Sequence, residues 1–247
     1  MRLLLSLLLL GSFAFAQGPA PDYSKLSAKE LEVRADAFRS QKDTAAALQL
    51  YNRAIAKDRK NAVLYNKVGM ALLSQGQYEP ARRSFEKATK LNKEYPEAIN
   101  NLAVIYYQRK DYRKAIQLYR KAIAMKPDSA SFHLNLGSAY FDDKKMESAM
   151  NEYSQALRLD PDVFDRSSAF GISAKVARPQ DRAIYAYMMA RLYARANDVE
   201  HCLTQLRRAM ENGYTNINDV YQNKEFAVVR QDPRFAELMQ AAPVAVP

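Results

Sequence analysis

PEAINNLAVIYYQRKDYRKAIQLYRKAIAMKPDS, residues 96–129, is the stretch on which the fold is decided. Ala103 is small where its first half would meet a partner, and Ala115, Tyr119 and Ala122 mark the same side of its second half. Small residues let two helices approach closely and a large one between them fills the remaining space, so the stretch reads as a helix pair. The same pattern recurs in both directions with a period of 34 residues. Units begin at Ala28, Ala62, Pro96 and Ala130, with a later one at Ala183. One first-helix column holds Ala35, Gly69, Ala103, Gly137 and Ala190. In the second helices the columns read Ala47, Ala81, Ala115, Ala149, Cys202, then Tyr51, Phe85, Tyr119, Tyr153, Leu206, then Ala54, Ala88, Ala122, Ala156, Ala209.

At these residues the chain resembles the tetratricopeptide repeat family, over residues 28–163 in four contiguous units and again over 183–214. Pro127 and Pro161 stand where the family has a proline after the second helix. Tyr106, Tyr140 and Tyr193 occupy its first-helix tyrosine column, with Phe38 and Leu72 alongside. Arg59 and Lys93 replace the proline in two units, and the family's early tryptophan is missing because the chain has none. The resemblance implies an all-α fold, a right-handed α-solenoid of about five helix pairs that binds other polypeptides, and it implies no chemistry.

The chain starts Met1-Arg2, runs through an apolar stretch from Leu3 to Phe13 and reaches Ala14-Phe15-Ala16. A charged start, a short apolar run and an Ala-x-Ala ending are the parts of a secretory signal peptide, too short to span a bilayer comfortably. Residues 1–16 are therefore expected to be removed, leaving an exported protein that begins at Gln17, periplasmic in a Gram-negative source and secreted otherwise, with no integral membrane segment. The formal charge of +10 becomes +9 when Arg2 is lost. That balance would favour anionic partners, nucleic acid being the least expected of them in an exported protein. The single cysteine, Cys202, replaces alanine in a packing column and is expected to be buried rather than bridged.

Between the signal and the first unit, residues 17–26 with Pro19 and Pro21 read as a flexible leader. Ser27 and Glu30 have capping-box spacing. Asp43, Asp111 and Asp198 are placed to cap second helices. Gly76 and Asn197 suit a left-handed residue between the two helices of a pair, a conformation in which Lys42, Lys110 and Lys144 incur a steric cost. Units one to four thus occupy 27–163 and the fifth 183–214. The interruption, 164–182, carries Gly171 and Pro179 with alternating Ile172, Ala174 and Val176, and reads as an inserted loop with a short extended piece. Residues 215–240 hold Phe226, Val228, Val229, Phe235, Leu238 and Met239, with Asp232-Pro233 opening a helix, and read as a helical cap over the last seam. Residues 241–247 read as a disordered tail.

In this family the first helices line a concave groove, which places Asn66, Met70, Leu73, Asn101, Val104, Tyr107, Asn135, Phe141, Tyr187, Met188 and Arg191 there as a candidate peptide-binding surface. The first unit presents Lys29, Glu32, Asp36 and Arg39 instead, so affinity is expected further along. Asn101 and Asn135 share a column one unit apart. An amide carries both donor and acceptor and can bond an extended backbone without reading its sequence, an arrangement that resembles the asparagine ladder of some superhelical members of the family. The family's other mode, a lysine and asparagine clamp for a chaperone's C-terminal carboxylate, fits poorly: Asn66 and Met70 stand where lysine and asparagine are needed, and Ser131 replaces a further lysine. His133 and His201 are isolated from metal-ligand spacing, and no phosphate loop, nucleophile elbow or paired-carboxylate motif occurs. The reading is a non-catalytic protein or peptide adaptor without a cofactor. Its alternative is a surface that binds a polyanion, acidic glycan or lipid head group.

Overall fold

The computed structural model describes residues 22–164 and 179–240, and among these every regular element is helical. The described residues fall into two compact units, divided between Arg59 and Lys60.

The first unit contains one helix pair, α1 (Ala28–Ser40) and α2 (Thr44–Lys57). The capping box forms: the Glu30 N–H donates to Ser27 Oγ at 3.2 Å and the Ser27 N–H donates to Glu30 Oε2 at 2.8 Å. Leu31, Ala35, Ala47 and Ala54 are fully buried, and the Tyr51 hydroxyl crosses the pair to donate to Asp36 Oδ1 at 2.5 Å. The described end of the stretch read as a flexible leader is tied to this pair. Tyr23 lies under the guanidinium groups of Arg34 and Arg53, and Lys57 Nζ donates to the Ser24 carbonyl at 2.9 Å.

The second unit stacks four more pairs: α3 (Ala62–Ser74) with α4 (Tyr78–Leu91), α5 (Pro96–Gln108) with α6 (Tyr112–Met125), α7 (Ala130–Asp142) with α8 (Met146–Leu159), and α9 (Pro179–Arg195) with α10 (Val199–Glu211). Asp111 and Asp198 cap α6 and α10 by accepting from the N–H groups of Lys114 and His201, as Asp43 caps α2 by accepting from Ala46. Lys42, Lys110, Lys144 and Asn197 all adopt positive φ, between 56° and 64°. Packing of the two helices therefore outweighs the steric cost of a left-handed lysine.

The small first-helix column meets the large second-helix column as the spacing requires. A Cβ built on Gly69 would come within 2.5 Å of the Phe85 ring, and one on Gly137 within 2.5 Å of the Tyr153 ring. Cys202 is fully buried in its packing column. Helix α9 begins at Pro179, four residues ahead of the Ala183 start read from the repeat and inside the segment read as a loop. The extended piece expected around Ile172, Ala174 and Val176 lies outside the described residues, as do the signal segment and the C-terminal tail. Where the period breaks, aromatic rings fill the joint between the fourth and fifth pairs. Phe141 meets the edge of Tyr185 at 5.2 Å, and Tyr153 makes edge contacts with Phe164 at 5.5 Å and Tyr185 at 6.2 Å.

After α10 the chain makes three short 3-10 turns, Ile217–Tyr221, Lys224–Phe226 and Val229–Gln231, and then α11 (Pro233–Gln240). Phe226, Val229, Phe235 and Leu238 are buried, whereas Val228, assigned with them to the apolar cover, faces solvent. The guanidinium of Arg230 clips the turns together, donating to the carbonyls of Val220 and Asn223 at 2.7 and 3.0 Å.

Candidate functional site

The first helices of the second to fifth pairs, α3, α5, α7 and α9, carry the eleven candidate groove residues, but the structure does not leave them equally accessible. Asn66, Val104, Asn135, Phe141, Tyr187 and Met188 are buried. Leu73, Asn101, Tyr107 and Arg191 are half-buried, and Met70 is exposed. The accessible remainder is concentrated on α3 and α5, where Val63 joins Met70 as a second exposed apolar side chain.

The two asparagines read as free rungs are instead links in a chain of amides. Asn135 Nδ2 donates to Asn100 Oδ1 at 3.1 Å, Asn100 Nδ2 donates to Asn101 Oδ1 at 3.3 Å, and Asn101 Nδ2 donates to Asn66 Oδ1 at 3.0 Å. Asn66 Nδ2 then donates to the Tyr95 hydroxyl at 3.2 Å and meets Met70 Sδ at 3.7 Å. Burial makes this mutual satisfaction necessary, because an unpaired amide out of water costs about 1–3 kcal/mol. Every link points the same way, so the links polarise one another. Asn135 is thereby removed from any ladder. Asn101 commits one of its two N–H groups and one of its two lone pairs, so one of each remains at the half-exposed edge.

Tyr107 sits beside this chain and is fixed across the next joint, its hydroxyl donating to Asp142 Oδ2 at 2.6 Å while its ring tilts against Tyr112. Burial, and then the Asp142 carboxylate, hold its phenol far above the ordinary range. The hydroxyl is thus a neutral, committed donor.

At the fifth pair the candidate surface is covered by the chain's own C-terminal segment. Glu225 accepts from Arg191 Nε and Nη2 at 2.8 and 3.0 Å and from Arg195 Nε at 2.8 Å, with Arg195 Nη2 also in contact. Burial alone would raise the Glu225 carboxyl, but the two guanidinium groups outweigh it and hold it below the usual carboxylate range. Asn223 Nδ2 donates to the Tyr187 hydroxyl at 3.0 Å, and the Tyr187 ring stacks on Tyr214 at 4.2 Å. Tyr187 and Arg191 therefore hold the cap, while Met188 is buried in the apolar core beside them. Asp142 and Glu225 were missed as members of this surface, although each stands 34 or 35 residues from the side chain it meets, close to one repeat length.

His133 is engaged by Glu152 Oε2 at 2.7 Å and the Pro127 carbonyl at 3.0 Å, and His201 by Asp198 Oδ2 at 2.7 Å. Among the described residues no three His, Cys, Asp or Glu side chains converge as metal ligands, and no helix is long and apolar enough to cross a membrane. Burial pushes the Cys202 thiol up to about 12.

Comparison with known proteins matches residues 69–109 and 105–144 to the TPR repeat family and residues 130–163 to the tetratricopeptide repeat. No curated protein matches the sequence. Among solved structures, a thermophilic TPR protein of Thermus thermophilus is similar over 87% of this chain and 100% of its own, at 17% identity and a TM-score of 0.54. PilF of Pseudomonas aeruginosa is similar over 79% of this chain and 81% of its own, at 20% identity and a TM-score of 0.53. YrrB, described as a TPR protein with an unusual peptide-binding site, is similar over 79% of this chain and 91% of its own, at 17% identity and a TM-score of 0.50.

Proposed function

We propose that the chain, which matches tetratricopeptide repeats over residues 69–163, is a non-catalytic adaptor that holds a peptide segment of another protein on the first-helix face of its second and third pairs. One observation carries the reading: Met70, Leu73 and Asn101 remain accessible side by side while the equivalent positions of the fourth and fifth pairs are buried or covered. The spare N–H and lone pair of Asn101 suit one peptide group of an extended segment. The exposed Met70 and Val63 suit a neighbouring apolar side chain, and methionine adapts to varied shapes. The peptide-binding site ascribed to YrrB supports the class of ligand, though not its sequence. We also place the protein outside the cytoplasm, on the strength of residues 1–16, with an envelope or secreted protein as partner.

Selection of a random peptide library on the purified protein, repeated with Met70→Ser and Asn101→Ala, tests the groove. Enriched peptides should share a bulky apolar residue, and both variants should bind them at least tenfold more weakly, about 1.4 kcal/mol. Equal enrichment on the variants would refute the reading.

A further inference from the structure

The cations of the second helices are not spread evenly. Helix α6 carries Arg113, Lys114, Arg120 and Lys121 and no carboxylate at all. Arg113 and Arg120 are seven residues apart, as are Lys114 and Lys121, so each couple shares one face of the helix across two turns, about 10.5 Å. That face is opposite the buried Ala115, Ile116, Tyr119 and Ala122, and all four cations are exposed. On α4, Lys87 occupies the column of Lys121 one repeat earlier and Lys90 follows it one turn on, both exposed.

Three of the neighbouring carboxylates are engaged by other cations. Glu79 is held by Arg82 and Arg109, Glu86 by Arg82, and Glu97 by Lys126. Among the described residues, Lys87 and Lys114 meet the faces of Tyr65 and Tyr106, contacts that leave their charge uncancelled. The stripe stops at the fourth pair. In α8 the columns of Arg113, Lys114, Arg120 and Lys121 are filled by Glu147, Ser148, Ser154 and Gln155.

An apolar row runs beside the charge. Met125 is 39% exposed one turn beyond Lys121 on the same helix face, Leu91 stands in the same relation to Lys87, and Leu159 continues the column at 43% exposure. A soluble polyanion would use the cations alone. A surface that sets uncompensated cations alongside solvent-facing apolar side chains is matched by the boundary of an anionic bilayer, where head groups meet the charge and acyl chains the apolar groups. We propose that the outer face of α4 and α6 docks reversibly on anionic lipid, independently of the peptide groove.

Flotation of the purified protein with phosphatidylcholine vesicles, with and without about a third phosphatidylserine, tests this. Binding should require phosphatidylserine and fall with added salt. Joint replacement of Lys87, Arg120 and Lys121 by alanine should weaken partition on the order of 100-fold. The charge-matched change of Arg158, Arg207 and Arg208 to alanine should alter it by less than about threefold. Met125→Ser should weaken the salt-resistant part, while Met70→Ser, which disables the groove, should leave flotation unchanged. Circular dichroism of each variant guards against loss of fold. Equal losses from the two triple variants would reduce the effect to net charge and overturn the proposal. So would binding to heparin or duplex DNA without binding to vesicles, which would assign the cations to a soluble polyanion.

Discussion

Gly137→Ala tests the packing that sets the spacing of each helix pair. The new Cβ would lie 2.5 and 2.6 Å from Cδ1 and Cε1 of Tyr153, where carbon atoms prefer about 3.5–4.0 Å. Ring or helix must therefore move by about 1 Å. Overpacking of this kind costs about 1–3 kcal/mol, and replacing a mid-helix glycine by alanine returns up to about 1 kcal/mol. A net loss of about 1 kcal/mol is expected, or roughly 2–4 °C in Tm. The first and third pairs already hold an alanine opposite a tyrosine, Ala35 with Tyr51 and Ala103 with Tyr119, so the wider spacing is attainable in principle. What resists it in the fourth pair is the wedging of the Tyr153 ring against Phe164 and Tyr185, since its hydroxyl bond to Ser138 has a counterpart in the first pair, where Tyr51 donates to Asp36 beside an alanine. Gly69→Ala, facing a Phe85 ring that is not wedged between other aromatic rings among the described residues, should cost less. Combining Gly137→Ala with Tyr153→Leu recreates the fifth pair's Ala190 and Leu206, and the double variant should lose about 1 kcal/mol less than the two single losses together. Hydrogen exchange across α7 and α8 measures each variant. A rise in protection for Gly137→Ala alone, or strict additivity in the double variant, would refute the reasoning.

Glu225→Gln should loosen the cap, seen as faster exchange in residues 217–231. Because the folded carboxyl is held below its unfolded value near 4.3, its contribution is present above that pH and is lost as pH falls through the folded value. The variant should lack that acid-side loss in a thermal melt taken across pH. Tyr107→Phe leaves the Asp142 carboxylate without its 2.6 Å donor and should cost about 1–2 kcal/mol in urea unfolding, the half-exposed carboxylate recovering part of the loss from water. Cys202, buried with its thiol pushed up to about 12, should resist alkylation in the native protein near pH 8 and react at the ordinary rate once denatured. Rapid native labelling would contradict its packing role.

Features that depend on local spacing were legible from the residues alone. The capping box at Ser27 and Glu30, the caps at Asp43, Asp111 and Asp198, and the left-handed lysines at 42, 110 and 144 all follow from neighbours within a few positions, and all form. Accessibility of the groove columns was not legible in the same way, because it depends on what lies over each side chain. Phe141 looks like a groove residue until the Tyr185 ring is set against it, and Tyr187 until Tyr214 and Asn223 cover it.

The missing rule concerns contacts between adjacent units. Asn66 meets Asn101, Asn100 meets Asn135, and Tyr107 meets Asp142, each pair 35 residues apart. Between first helices, these polar contacts of one pair with the next therefore fall one position beyond the repeat length. Arg191 meets Glu225 after 34 residues and Tyr187 meets Asn223 after 36, although the segment holding Glu225 and Asn223 is made of 3-10 turns and carries none of the repeat columns. The cap thus keeps the contact register of a sixth unit while abandoning its helices. That is why its polar residues fall on the first-helix face of the fifth pair and cover it, while on the fourth pair the Tyr185 ring closes over Phe141.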